Sequence, residues 1–134
     1  KLEIWGDGPE KEPLENLVRE KGLERQVFLR GATPDVQEKL LQSSMLVFSS
    51  LFEGFGMVLV EAMACGVPCV AFECPCGPRD LIEPEKDGLL VPLRDTDRLA
   101  EAVIRMIEHP ELRRAMGAAA RKEAGLYGWT CSMH

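Results

Sequence analysis

Residues 53–68 read EGFGMVLVEAMACGVP, and this stretch decides the fold. From Met57 to Cys65 every residue is apolar except Glu61; Gly66 follows at once and Pro68 stands just beyond. Such a run, closed by glycine and proline, reads as a helix covered by other elements. Gly56 opens it, and the free N–H groups and positive dipole end of a helix start favour anions and polar hydroxyls. Two carboxylates mark the stretch: Glu61 inside the helix, and Glu53 ahead of it beside Gly54 and Gly56. Those glycines let the backbone approach a ligand closely. A carboxylate among apolar neighbours is costly unless something pairs with it. Helical side chains lean towards the N-terminus, so Glu61 and Glu53 can face one crevice. On the residues alone two readings stay open. The acids are a ligand-binding pair, or Glu61 is a core carboxylate paired with an arginine and Glu53 an exposed turn residue.

Working outward, KLEIWG, QVFLRG, MLVFSS, PCVAFE and GLLVP are short runs of strand type. MLVFSS is apolar without alternation, as expected of a strand covered on both faces. Between the runs lie helical segments. One follows Pro9 and ends before Gly22, and a second has Thr33 as N-cap and Pro34 at its first position. The 53–68 helix is the third and GPRDLI a short fourth. Two further helices flank Pro110, one with the stripe Leu99, Val103, Met106 and Ile107, the other with Leu112, Ala115, Met116, Ala119 and Ala120. Strands alternating with helices predict an α/β fold with a Rossmann-like, doubly wound, mostly parallel sheet in one domain over residues 1–134.

Composition bounds the function. The 134 residues are 46% hydrophobic, with a net charge of −6 and a pI near 5.0. That balance argues against nucleic acid or an anionic membrane as partner. No apolar run approaches a membrane span and the N-terminus lacks a signal-peptide layout, so the expected location is cytoplasmic. Five cysteines (Cys65, Cys69, Cys74, Cys76, Cys131) are an odd count without metal-ligand spacing, which predicts reduced thiols and no metal site.

In doubly wound sheets, ligands bind beyond the carboxyl ends of the strands. Three glycine-bearing loops are expected there: GDGPE, SSLFEGFG and ECPCGPRD. The first fails the dinucleotide fingerprint, because Lys11 stands where the third glycine would be.

FEGFGMVLVEAMACGVPCVA resembles the E-x7-E motif of the retaining nucleotide-sugar glycosyltransferases of family 4, which have the GT-B fold. LEIWGDGPE, VFLRG, DGLLVP and LYGWT are similar to further elements of that family's C-terminal domain, so the resemblance spans nearly the whole chain. It implies that Glu61 hydrogen-bonds the ribose hydroxyls of the nucleotide and that Glu53 lies at the donor sugar and reaction centre. It places backbone amides at Phe55 and Gly56 near the sugar or diphosphate, with Gly54 in the same loop, and Arg30 and Gly31 beside the nucleobase. A carboxylate accepts two hydrogen bonds from a vicinal diol, which would give Glu61 its missing partner.

The implied activity is transfer of a hexose from a UDP- or GDP-sugar to an acceptor hydroxyl with retention, without cofactor or metal. The alternatives are another nucleotide-binding Rossmann-like domain and a non-catalytic domain. Departures from the family matter. Its first C-terminal-domain strand, with an Arg and a Lys that grip the diphosphate, would precede Lys1, as would the N-terminal acceptor domain. Cys76-Gly77 stands where a Gly-Gly pair is commoner. The chain is therefore expected to be the donor-binding part of a larger enzyme, inactive alone, which works in the cytoplasm or at the inner face of a membrane. Without the central strand, the strands of LEIWG and MLVFSS are expected to close up or to self-associate through their exposed edges.

Overall fold

The computed structural model describes residues 1–5, 9–31, 35–49, 57–73 and 77–128. In order these form β1 (Leu2–Trp5), α1 (Lys11–Glu20), β2 (Val27–Gly31), α2 (Val36–Leu41), β3 (Leu46–Phe48) and α3 (Met57–Ala64). Then come β4 (Cys69–Phe72), α4 (Pro78–Leu81), β5 (Gly88–Val91), α5 (Thr96–Glu108) and α6 (Pro110–Leu126). The expected alternation holds and every described strand pairing is parallel. The second helix begins at Val36, and Thr33 and Pro34 lie outside the described residues.

The chain divides into two compact units, 1–35 and 36–134. The described strands likewise form two sheets, β1-β2 in the first unit and β3-β4-β5 in the second. In the first unit, Leu2, Glu3 and Ile4 pair with Val27, Phe28 and Leu29, and Trp5 pairs with Gly31. The register skips Arg30, and Gly31, which follows it, takes a left-handed φ of 83° that glycine adopts without strain.

In the second unit β4 is central and buried along its whole length. Cys69 and Ala71 pack on one face with Leu40 of α2, Leu59 and Ala62 of α3, and Ile82. Val70 packs on the other with Leu89, Met106 of α5 and Met116 of α6. Period-two alternation thus feeds apolar side chains to helices on both faces, the doubly wound arrangement. Further along α6, Ala120 and Ala124 meet Met63 and Ala64 of α3.

The C-terminal helices correct two details. Ile107 is 58% exposed, so the α5 stripe is Leu99, Val103 and Met106. On α6 the buried positions are Met116, Gly117, Ala120 and Ala124, whereas Ala115 is exposed. Asp95 caps α5 through the Arg98 amide (3.0 Å), and Arg113 donates to the carbonyls of Met106 and Ile107 at its far end.

Candidate functional site

α3 leads away from the carboxyl end of β3, and its apolar character follows from its packing. Leu59, Val60, Ala62, Met63 and Ala64 are buried. Met57, Glu61 and Cys65 are spaced by four and share one face, with Met57 58% exposed and the other two half-buried. Glu61 therefore stands on the less buried side of α3, between the exposed Met57 and Cys65, which packs against the core cluster of Leu59 and Ala62. Among the described residues no ion pair and no side-chain hydrogen bond reaches it. The alternative in which a buried arginine neutralises Glu61 is not what the structure contains. Nor is Glu61 deeply buried: it is half-buried.

Glu53, Gly54, Phe55 and Gly56, the other members of the expected pair and its loop, lie outside the described residues. So do Cys74 and Cys76. What is described of the neighbouring loop is its two ends. Glu73 follows β4, and its amide still donates to the Val91 carbonyl (2.8 Å). Arg79, in α4, returns to pair with the Glu73 carboxylate at 3.5 Å. The sequence reading placed ECPCGPRD among the strand-end loops but named no role for this arginine, although its charge was visible there.

Arg30 and Gly31 are the last two residues of β2, in the first unit. The Arg30 guanidinium lies 4.6 Å from the centre of the Phe28 ring and pairs with Glu3 at 3.6 Å. A cavity of about 220 Å³ is lined by Val18 and Arg19 of α1 and by Val27, Phe28, Leu29 and Arg30 of β2. It is smaller than the roughly 300–1,000 Å³ usual for small-molecule sites.

The chain matches the model of a known protein family, described as "Glycosyl transferases group 1", over residues 1–123. The chain belongs to that family. Among curated relatives of this group 1 glycosyltransferase chain, an exopolysaccharide phosphotransferase of Streptomyces coelicolor is 39% identical over 123 residues, 91% of this chain and 13% of that protein. The poly(ribitol-phosphate) alpha-N-acetylglucosaminyltransferase of Staphylococcus aureus is 34% identical over 122 residues, 91% of this chain and 25% of that protein. A crystal structure of TarM from S. aureus, in a complex that includes UDP, superposes with a TM-score of 0.90 at 32% identity, covering 97% of this chain and 26% of that one. The chain thus spans 13–26% of the length of these relatives. The GT-B resemblance read from the motifs holds, and the parallel α/β architecture agrees with it.

Other polar groups of this family member serve the fold. Asp87 is 1% exposed and accepts a hydrogen bond from the Glu83 amide at 2.8 Å. Burial pushes its carboxyl above the ordinary aspartate value, the Glu83 amide opposes this, and the nearby Glu123 and Glu83 carboxylates add to the rise. Burial, with Asp87 adding to it, pushes the Cys69 thiol up to about 12. Cys65 and Cys69 are both unbridged. Among the described residues no group of three or more His, Cys, Asp or Glu is placed to hold a metal ion. No helix among them is long and apolar enough to cross a membrane.

Proposed function

We propose that this chain is the nucleotide-sugar-binding part of a retaining family 4 glycosyltransferase that transfers a hexose from a UDP- or GDP-sugar to an acceptor hydroxyl. The observation that carries the reading is Glu61: a half-buried carboxylate with no partner among the described residues, on a mostly buried helix inside the family's E-x7-E stretch. A ribose diol offers it two donors. The UDP bound in the TarM complex supports a uridine nucleotide.

In this reading Glu53 lies at the sugar, the amides of Gly54, Phe55 and Gly56 face sugar or diphosphate, and Arg30 and Gly31 lie beside the base. The glycosidic C–O bond to the diphosphate breaks with its electron pair leaving on the phosphate oxygen. A new C–O bond forms to the acceptor oxygen on the same face, and the acceptor proton passes to a phosphate oxygen. The start of α3 favours the charge that develops on the diphosphate. Acceptor binding belongs to a separate N-terminal domain of the same enzyme, so the present chain alone does not turn over. The outer edges of β1 and β3 accept a further strand or a second copy of the chain. The enzyme acts in the cytoplasm or at the inner face of a membrane.

Glu61→Ala in the full-length enzyme tests this. Hydrogen bonds to a charged group are worth roughly 1.5–3 kcal/mol, so nucleotide affinity should fall by roughly ten- to a hundredfold. The melting temperature should hold or rise, because no ion pair is lost. Lost stability with unchanged affinity would refute the assignment.

A further inference from the structure

The carboxyl ends of β3, β4 and β5 hold very little positive charge. The segments leaving them, 49–57, 73–81 and 92–96, contain two basic residues, Arg79 and Arg94. Arg94 follows β5, which is the edge strand on the far side of β4 from β3. Arg79 follows β4, the immediate neighbour of the strand that feeds α3.

Its position is fixed from two sides. Pro78 and Ile82 are buried, and Leu81 packs against the clusters that contain Leu59 and Met63 of α3, so α4 is seated on α3. Glu73, still held in the ladder by its amide, brings the guanidinium to the end of the sheet. The pair is long at 3.5 Å and its side chains are 55% and 47% exposed, so it is cheap to exchange for a better anion. A diphosphate is one: it carries more charge than a carboxylate and suits the planar guanidinium fork.

Resting on the donor reading above, we propose that Arg79 grips the diphosphate of the nucleotide-sugar and that Glu73 holds it in place until the donor arrives. Glu73 is then a positioning residue that competes with the ligand. This gives the two partners of one ion pair effects of opposite sign, which a merely structural pair cannot produce.

The experiment measures, on the full-length enzyme, the affinity for whichever of UDP or GDP the wild type binds and for the matching nucleoside. Arg79→Ala should weaken the diphosphate roughly ten- to a hundredfold and leave the nucleoside within twofold. Arg79→Lys should recover part of the loss. Glu73→Gln should tighten the diphosphate about two- to fivefold by removing the competitor. Arg94→Ala, which removes the same charge, should leave it within twofold. Both residues of the pair are exposed, and melting temperatures confirm that each variant is folded. Equal weakening by Arg79→Ala and Glu73→Gln, or equal loss for diphosphate and nucleoside, would reduce the pair to a loop clamp and overturn the proposal. Diphosphate binding indifferent to Arg79 would overturn it alone. A wild type that binds neither UDP nor GDP would overturn the donor reading beneath it.

Discussion

Gly117→Ala should loosen the helix that carries Glu61. A Cβ at position 117 would stand 2.3 Å from the Gly66 carbonyl oxygen, 3.3 Å from its carbon and 3.4 Å from Pro68 Cδ. Carbon–oxygen contacts settle near roughly 3.3 Å, so α6 and the end of α3 must part by about 1 Å. The obstacle is backbone, which cannot rotate away as a side chain would. Parting also separates Met63 and Ala64 from Ala120 and Ala124. Overpacking of this kind costs about 1–3 kcal/mol. Against it stands the better helix propensity of alanine, about 0.8–1.0 kcal/mol. Because the clash is with rigid backbone, the upper part of that range, about 2–3 kcal/mol, applies, and packing wins with a net loss of about 1–2 kcal/mol. With an unfolding entropy of about 2.1 cal/mol/K per residue, 134 residues lose about 3.5 °C of melting temperature per kcal/mol. Gly117→Ala should therefore melt about 4–7 °C below wild type by circular dichroism. Gly125→Ala is the internal control in the same helix. A Cβ there meets nothing within 4 Å, so only propensity acts and stability should hold or rise. A Gly117→Ala protein as stable as wild type would show that the helix crossing is not set by this contact.

Asp95→Ala should cost about 0.5–2 kcal/mol through loss of the α5 cap, read from urea unfolding, with Asp95→Asn recovering most of it. Asp87 carries a raised carboxyl in the folded state, so its stabilising contribution is full below the ordinary aspartate value and is lost as pH rises through the raised one. Asp87→Asn should accordingly gain on wild type between pH 4 and 7, and an unchanged pH slope of the urea midpoint would refute this. With its thiol at about 12, Cys69 is about one part in ten thousand thiolate at pH 8, so iodoacetamide should leave it unmodified in the native protein. The half-buried Cys65 should be labelled before Cys69, as mass spectrometry of digests would show.

The five strands and α3 were legible because their signals are strong and local. β4 is apolar at all four positions since both its faces are covered, and α3 is apolar because three of its sides are. The α6 face was legible only in part. Hydropathy marks Ala115 and passes over Gly117, yet Gly117 is buried because absence of a side chain is what admits the Gly66 carbonyl. Ile107 counts as apolar wherever it lies, but it stands one position past Met106 and so about 100° around the helix from the buried stripe. The separation of the strands into two sheets depends on which edges find partners, which periodicity within a strand does not carry.

Glu61 shows how the fold and the site constrain each other. Had it stood at Leu59 or Met63, fully covered, an unpaired carboxylate would have imposed a desolvation cost of several kcal/mol. The protein would then have needed an arginine beside it or a protonated acid. At position 61 it falls between Met57 and Cys65 on the less buried side of the helix, where it is only half-buried and the cost is smaller. The carboxylate can therefore stand without a partner among the described residues while the rest of the helix builds the core. A carboxylate without an intramolecular partner keeps its acceptors for a ligand. The features that make α3 look wholly structural are also those that leave its one acid available.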